Sequence, residues 1–226
     1  MNDIKQRFEK VNLQIRQAEV AAGRSKDSVQ LLAVSKTKPA TDIARAYQTG
    51  QRHFAESYLQ EALKKQQALT AFDITWHFIG PIQSNKTKPI ATHFSWVHSV
   101  DRLKIAKRLS EQRPANLPAL NICLQVNISG EASKAGVTLE QLPQLISEMR
   151  GLPNIQLRGV MAIPEPKTEY ENQRQPFNRL YHAVKQLNMP ELDTFSFGMT
   201  ADLKAAIAEG STIVRIGTAL FGARTY

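Results

Sequence analysis

Lys36 ends the apolar run Leu31-Leu32-Ala33-Val34-Ser35, so a strand that should be buried finishes on an amine. A lysine amine has an unperturbed pKa near ~10.4 and becomes a useful nucleophile when burial or neighbouring cations lower that value. Far along the chain, Ser196-Phe197-Gly198-Met199-Thr200 and Arg215-Ile216-Gly217-Thr218 each join glycine to a hydroxyl residue where a strand should give way to a helix. That composition suits a phosphate: glycine lets the backbone approach an anion, N–H groups at a helix start donate to it, and a Thr or Ser hydroxyl adds a bond. Read only as local structure, the first segment is a helix cap and the second a pair of tight turns.

Other templates for chemistry are missing. The sequence has no G-x-G-x-x-G, no Walker A pattern and no H-E-x-x-H. Its histidines, His53, His77, His93, His98 and His182, have no zinc-finger spacing to a thiol. His77, within Trp76-His77-Phe78, reads as a hydrogen-bonded strand histidine before it reads as a base. The one cysteine, Cys123, lies in an apolar run; disulfide bonding within the chain is impossible, and a buried, inert thiol in a reducing compartment is expected.

These residues need a scaffold. Ile4, Phe8, Val11, Ile15 and Ala18 recur at three- or four-residue spacing, which predicts an amphipathic helix over 3–21 with Gly23 at its end. Thereafter short apolar runs alternate with helical stretches, the rhythm of βαβ units. Strands are predicted at 29–34, 51–55, 74–79, 94–100, 119–128, 155–163, 193–197 and 212–216. Helices are predicted at 40–49, 57–70, 84–91, 101–112, 138–150, 172–187 and 200–209, several opened by Thr, Asp or Ser caps. Eight strands after one extra helix predict an α/β fold, a single (β/α)8 TIM barrel over residues 1–226. The chain is slightly shorter than the typical ~250 residues, so loops should be short.

In such a barrel the site forms at the C-terminal ends of the strands. There the sequence offers Ser35 and Lys36, then Glu56 and Ser57, then Gly80, Gln83 and Asn85, then Ser129 and Pro164. The last two places belong to the Ser196–Thr200 and Arg215–Gly222 segments, the recurrent phosphate position of this fold. A phosphate loop at one end of the mouth and a lysine at the other meet the needs of pyridoxal 5'-phosphate (PLP), whose aldehyde must reach an amine. Arg215 would face the ring nitrogen, and an arginine does not readily give up a proton to a pyridine, so the ring stays a weaker electron sink. Position alone leaves Lys36, Lys38 and Lys86 as candidates, with Lys38 expected in the loop and turned to solvent.

The chain resembles the YggS/PROSC group of pyridoxal phosphate homeostasis proteins, whose patterns AVSKTKP, FGEN, WHFIGxLQxNK, VNxxxExxKxG, GVMAI, SMGMSxD and VRIGTxxFG appear in order. They match Ala33–Pro39, Phe54–Ser57, Trp76–Lys86, Val126–Gly136, Gly159–Ile163, Ser196–Asp202 and Val214–Gly222. The resemblance implies the alanine racemase N-terminal barrel (PLP fold type III) and a Schiff base on Lys36 rather than Lys38. It also implies phosphate contacts from Ser196, Thr200, Gly217 and Thr218, with Arg215 near the ring nitrogen; Met199, Ser57 and His77 complete the expected cofactor-binding set. Two motifs depart from the family: FGEN is Phe54-Ala55-Glu56-Ser57, and SMGMS is Ser196-Phe197-Gly198-Met199-Thr200. Ser57 is shorter than asparagine, so its contact to the cofactor should be lost or water-mediated, while Thr200 keeps a hydroxyl.

The implied function is intracellular PLP homeostasis, with the cofactor held and not turned over, and with PLP-dependent apoenzymes as possible recipients. The alternative is a racemase-like enzyme, which needs bases on both faces of the substrate carbon. The racemase family takes one from a tyrosine on a further domain, and this sequence ends at Tyr226 soon after its eighth strand; Tyr58 alone follows a strand end. The net charge of +9 admits nucleic acid, anionic surfaces or phosphorylated small molecules. The densest basic stretch, Arg102–Leu109, has Leu103, Ala106 and Leu109 at helical spacing and no interleaved aromatics, which favours a solvated helix over a nucleic-acid face. No apolar run approaches the ~20 residues that span a bilayer, and a cytoplasmic monomer is expected.

Overall fold

The computed structural model describes residues 2–131 and 134–223. Eight strands, β1 Gln30–Val34, β2 His53–Glu56, β3 Thr75–Phe78, β4 Trp96–Val100, β5 Leu120–Val126, β6 Ile155–Ala162, β7 Thr194–Ser196 and β8 Ile213–Ile216, pair in parallel and in sequence order into a closed barrel. Helices α1 Asn2–Ala21, α2 Ala40–Gln48, α3 Leu59–Ala68, α4 Thr87–His93, α5 Leu103–Gln112, α6 Leu142–Met149, α7 Tyr170–Lys185, α8 Leu203–Ala208 and α9 Thr218–Phe221 surround it, with a 3-10 turn at Ser84–Lys86. The (β/α)8 expectation holds, and closure adds a relation that sequence order hides. β8 pairs with β1, opposing Leu32 to Arg215 and Ala33 to Ile216. The strand that leads into the Arg215–Gly222 segment and the strand that ends before Lys36 are neighbours, not opposite ends of the mouth.

Alternation along the strands sorts the side chains onto two faces. Leu31, Ala33, Phe54, Phe78, Val97, Phe195 and Val214 belong to the large core between sheet and helices. Inside the barrel the apolar cluster is small, formed by Leu32, Ala55 and Ile213 with Val34 and Ile79 against them. Two residues from Ala55, Ile79 and Ile213 on the same face stand His53, His77 and Arg215. Burying such groups is unfavourable unless each finds a partner, and the interior is organised around meeting that requirement.

The extra helix α1 buries Phe8, Val11, Ile15 and Ala18, as its periodicity predicts, and packs on α8, α9 and α2. The four-residue α9 that follows β8 leaves the eighth place in the outer ring short, and α1 fills it, with Phe8 edge-on to Phe221 at 5.9 Å. Gly23 and Gly210 sit at φ +65° and +91°, the left-handed turns expected where α1 and α8 stop. α2 begins at Ala40 as predicted, but the side-chain capping expected at the helix starts is not found. Their caps are Pro39, Tyr58, Lys86, Arg102, Gln141, Glu169, Asp202 and Gly217, none making a side-chain cap hydrogen bond. Burial of the amphipathic faces sets these starts, as in α5, which buries Ile105, Ala106 and Leu109 and turns Lys104 and Lys107 outward. No helix among the described residues is long and apolar enough to cross a membrane.

Cys123 is fully buried on β5, and burial pushes its thiol up to about 12. Labelling with an aromatic disulfide reagent should therefore be negligible in the native protein and complete in denaturant. Rapid native labelling at neutral pH would contradict the burial.

Candidate functional site

The C-terminal mouth gathers most of the residues singled out by sequence. Lys36, half-buried, follows Ser35 in the turn after β1. Leu32 and Val34 of β1 face the barrel interior, and Lys36 follows two residues beyond the end of that strand. Across the β1–β8 pairing lies Gly217, whose added Cβ would stand 3.3 Å from the Val34 carbonyl oxygen, so the loop after β8 is pressed against the end of the lysine strand. Gly198, at φ +95°, makes the corresponding bend after β7, and a Cβ there would stand 2.5 Å from the Cβ of Ala206. Thr200 and Thr218 are exposed beside these bends.

The expected backbone donors are not equivalent. The Met199 N–H already donates to Asp202 Oδ1 at 2.6 Å, while the Met199 side chain is exposed. Ser57 is half-buried in the turn after β2, where Gly80 packs backbone to backbone: a Cβ on Gly80 would stand 2.1 Å from the Ser57 carbonyl oxygen. Ser129 accepts the Glu165 N–H at 2.9 Å and serves its own loop. Lys38 reaches Ala223, its Nζ 2.5 Å from the carbonyl oxygen, and so is tied to the loop after α9. Lys86 closes the 3-10 turn beyond β3.

Arg215 lies below the mouth, 4% exposed, with Nη1 donating to the Ser196 carbonyl at 2.5 Å and to Ser196 Oγ at 3.0 Å. Its Nη2 donates to the Ala162 carbonyl at 3.1 Å. Burial brings its guanidinium down to about 10, with Asp202 acting in the opposite sense, so it is a cation at neutral pH. Ser196, expected at the phosphate, has its hydroxyl engaged inside the barrel, 2.8 Å from His98 Nδ1. His98 Nε2 is 2.9 Å from His77 Nδ1, and His77 Nε2 is 3.0 Å from His53 Nδ1. His77 also stacks on Trp96, with centroids 5.5 Å apart and planes at 10°. Burial depresses all three imidazoles: His53 below its ordinary value, His77 well below it with His98 and His53 adding to the effect, and His98 to about 3 with Arg215 adding.

The turn bearing Lys36 is held from the helix side by a buried charged cluster. Lys65 of α3 donates to the Ser35 carbonyl at 2.8 Å, to Glu56 Oε1 at 2.7 Å and to Glu61 Oε1 at 2.5 Å. Ser35 Oγ donates to the same Glu56 oxygen at 2.6 Å, and Glu61 Oε1 also accepts the Thr37 N–H at 2.6 Å. Thr37 itself has φ +64°, an uncommon conformation for a β-branched residue. The strained turn and its fastening fix the direction in which the chain leaves Lys36. Glu56, read from sequence as a mouth residue, is instead fully buried with its carboxylate on the helix side. Burial raises its carboxyl above the ordinary range against the opposing pull of Lys65 and Ser35.

Sequence reasoning missed Lys65, His53 and His98 as site components. The histidines could have been found by aligning the inward positions of adjacent predicted strands. Lys65 carries no such signal, because Lys64-Lys65 on a helix reads as a solvated pair. Tyr226 lies outside the described residues, and Tyr58 is exposed at the start of α3.

Residues 12–225 match the family model of the alanine racemase N-terminal domain. The chain is 61% identical over 226 residues to the pyridoxal phosphate homeostasis protein of Pseudomonas aeruginosa, covering all of this chain and 98% of that protein. Its counterpart in Escherichia coli K12 is 49% identical over 231 residues, with 100% and 99% covered. Among solved structures, PipY of Synechococcus elongatus with PLP bound superposes with a TM-score of 0.84 at 35% identity, covering 97% of this chain and all of that one.

Proposed function

Since the chain belongs to the pyridoxal phosphate homeostasis proteins of the alanine racemase N-terminal domain family, we propose that it binds PLP at the C-terminal mouth and holds it without turnover. The β1–β8 pairing carries the reading, because it sets the Lys36 turn beside Gly217 and Thr218, directly above Arg215. The donor set fits the group: one amine, one buried guanidinium, two exposed hydroxyls and two glycine bends at a single mouth. When bound, the cofactor supplies an electrophilic aldehyde. Lys36 would hold that aldehyde through its amine. Thr200, Thr218 and the Gly198 and Gly217 bends would hold the phosphate. Arg215, a donor with no acceptor, would face the ring nitrogen and would not readily give up its proton to it.

The same residues argue for a carrier. Arg215 gives the ring a weak hold on carbanion electrons, and His77 and His98 are neutral and committed inside the barrel. Tyr58, the tyrosine that follows a strand end, is exposed at the start of α3 and does not supply a second base. We assign the protein to buffering of free PLP in the cytoplasm as a monomer, with release to PLP-dependent apoenzymes. Titration with PLP should give a one-to-one complex with a visible band, and incubation with single enantiomers of common amino acids should leave their configuration unchanged. Rapid racemisation abolished by Lys36→Ala would establish the enzyme instead.

A further inference from the structure

Arg215 is a buried cation without a carboxylate at salt-bridge distance among the described residues. Beside the Ser196 and Ala162 carbonyls it donates to one side chain, the Ser196 hydroxyl, the first member of a continuous line of side chains. The line runs Arg215, Ser196, His98, His77, His53, with spacings of 3.0, 2.8, 2.9 and 3.0 Å across β8, β7, β4, β3 and β2. It ends at the opposite mouth, where His53, half-buried, lines a cavity of about 370 Å³ together with Asn12, Thr49 and Gln51.

The geometry points to a directional relay in which His98, His77 and His53 are positioning residues that lock Arg215 as the ring-nitrogen donor and connect it to the far mouth of the barrel. Direction follows from donor chemistry. Guanidinium has no acceptor, so Ser196 Oγ must accept from Arg215, and its own proton turns to His98 Nδ1. His98 then carries its proton on Nε2 and donates it to His77 Nδ1. His77 likewise donates from Nε2 to His53 Nδ1, and His53 is left with its proton on Nε2, toward the cavity side. All three rings are neutral Nε2–H tautomers. The reversed chain would have both Arg215 and His98 donating to Ser196 and would strand the hydroxyl proton as an unsatisfied buried donor.

Each donation leaves the preceding atom a better acceptor. Ser196 Oγ thereby draws the Nη1 edge of Arg215 down, spreads its charge along the line, and fixes the guanidinium plane. Trp96, stacked on His77, and Arg158, whose Cζ lies 5.1 Å from the Trp96 ring centroid, hold the middle of the line in place. The line itself exists without a ligand, whereas its role toward the ring nitrogen rests on the PLP reading above.

Histidine-selective nitrogen-15 NMR of the cofactor-free protein near neutral pH decides the first part. His53, His77 and His98 should all show the Nε2–H signature, and the Nδ1–H form at any of them overturns the relay. Ser196→Ala should convert His53, three bonds away, to a tautomer mixture, whereas Arg215→Lys, which is still a donor only, should preserve the single form. An unchanged His53 in Ser196→Ala overturns the direction argument; if that variant does not fold, the wild-type tautomers still decide. For the second part, His77→Phe keeps an aromatic ring against Trp96 but removes both hydrogen bonds. It should shift the visible band of bound PLP and raise its Kd about tenfold, the scale of one misaligned charge-assisted bond. PLP bound with an unshifted band and unchanged Kd refutes the positioning role, while wild-type protein that binds no PLP refutes the function above and leaves the tautomer result standing.

Discussion

Lys36→Ala, loaded with PLP, reduced with borohydride and digested, is expected to carry no pyridoxyl group, whereas the wild-type chain should carry one on the peptide containing Lys36. Reduction converts the C=N bond of a Schiff base into a stable amine, so it records which nitrogen held the aldehyde. The variant should still bind PLP weakly, because Thr200, Thr218 and Arg215 remain. The expected loss is about 100-fold in Kd, or ~2.7 kcal/mol for a reversible covalent link lost from a site whose ionic contacts survive. Its cofactor-free stability should stay within about 1 kcal/mol of wild type, since Lys36 is a half-buried turn residue and not part of a packed core. Lys38→Ala is the matched control: its amine is drawn to the Ala223 carbonyl, so pyridoxyl should still appear on Lys36. A pyridoxyl group found on Lys38 or Lys86 of the wild-type chain would sink the assignment.

The control has force because sequence alone left three lysines in play. What it could read was the strand rhythm, since every strand presents an apolar face to the helices, and the mouth, since strand ends can be placed within a residue or two. That Lys36, Gly198 and Gly217 lie just past strand ends is a local feature and was legible for that reason. The neighbourhood of β8 and β1 was not local: Leu32 and Arg215 meet because the sheet closes on itself. The same applies to the histidine line, whose members are 24 and 21 residues apart and touch through three adjacent strands. Read singly, each is an ordinary strand histidine, and a test for zinc-ligand spacing passes over them. Helix caps failed for a different reason. Thr, Asp and Ser mark possible starts, but short helices lying on a barrel begin where the apolar face meets the sheet, as α3 does at Leu59 after Tyr58.

Lys65 is the residue whose importance rests most on burial, and its removal should have the largest effect on stability. Lys65→Met deletes the partner of Glu56, which is fully buried and whose Oε2 already has no hydrogen-bond partner. Breaking a buried pair from one side leaves an uncompensated charge, at about 3–5 kcal/mol. Glu56→Gln should cost less, because Lys65 keeps Glu61 and the Ser35 carbonyl. The double change Glu56→Leu with Lys65→Met should recover much of the loss, since two apolar side chains replace two desolvated charges. The pH dependence has a definite sign. Burial sets the folded carboxyl of Glu56 above its unfolded value, so the native state holds the proton more tightly. Its contribution favours folding at low pH and is lost as pH rises through the raised folded value, and without Lys65 that value rises further. Lys65→Met should therefore unfold at lower denaturant concentration at about pH 8 than at about pH 5, by a wider margin than wild type. Equal losses at both pH values would mean that Glu56 reaches water once Lys65 is gone. Because Lys65 also holds the Ser35 carbonyl, the variant should load PLP on Lys36 more slowly even where it is folded, and Glu56→Gln, which keeps that bond, should load at close to the wild-type rate.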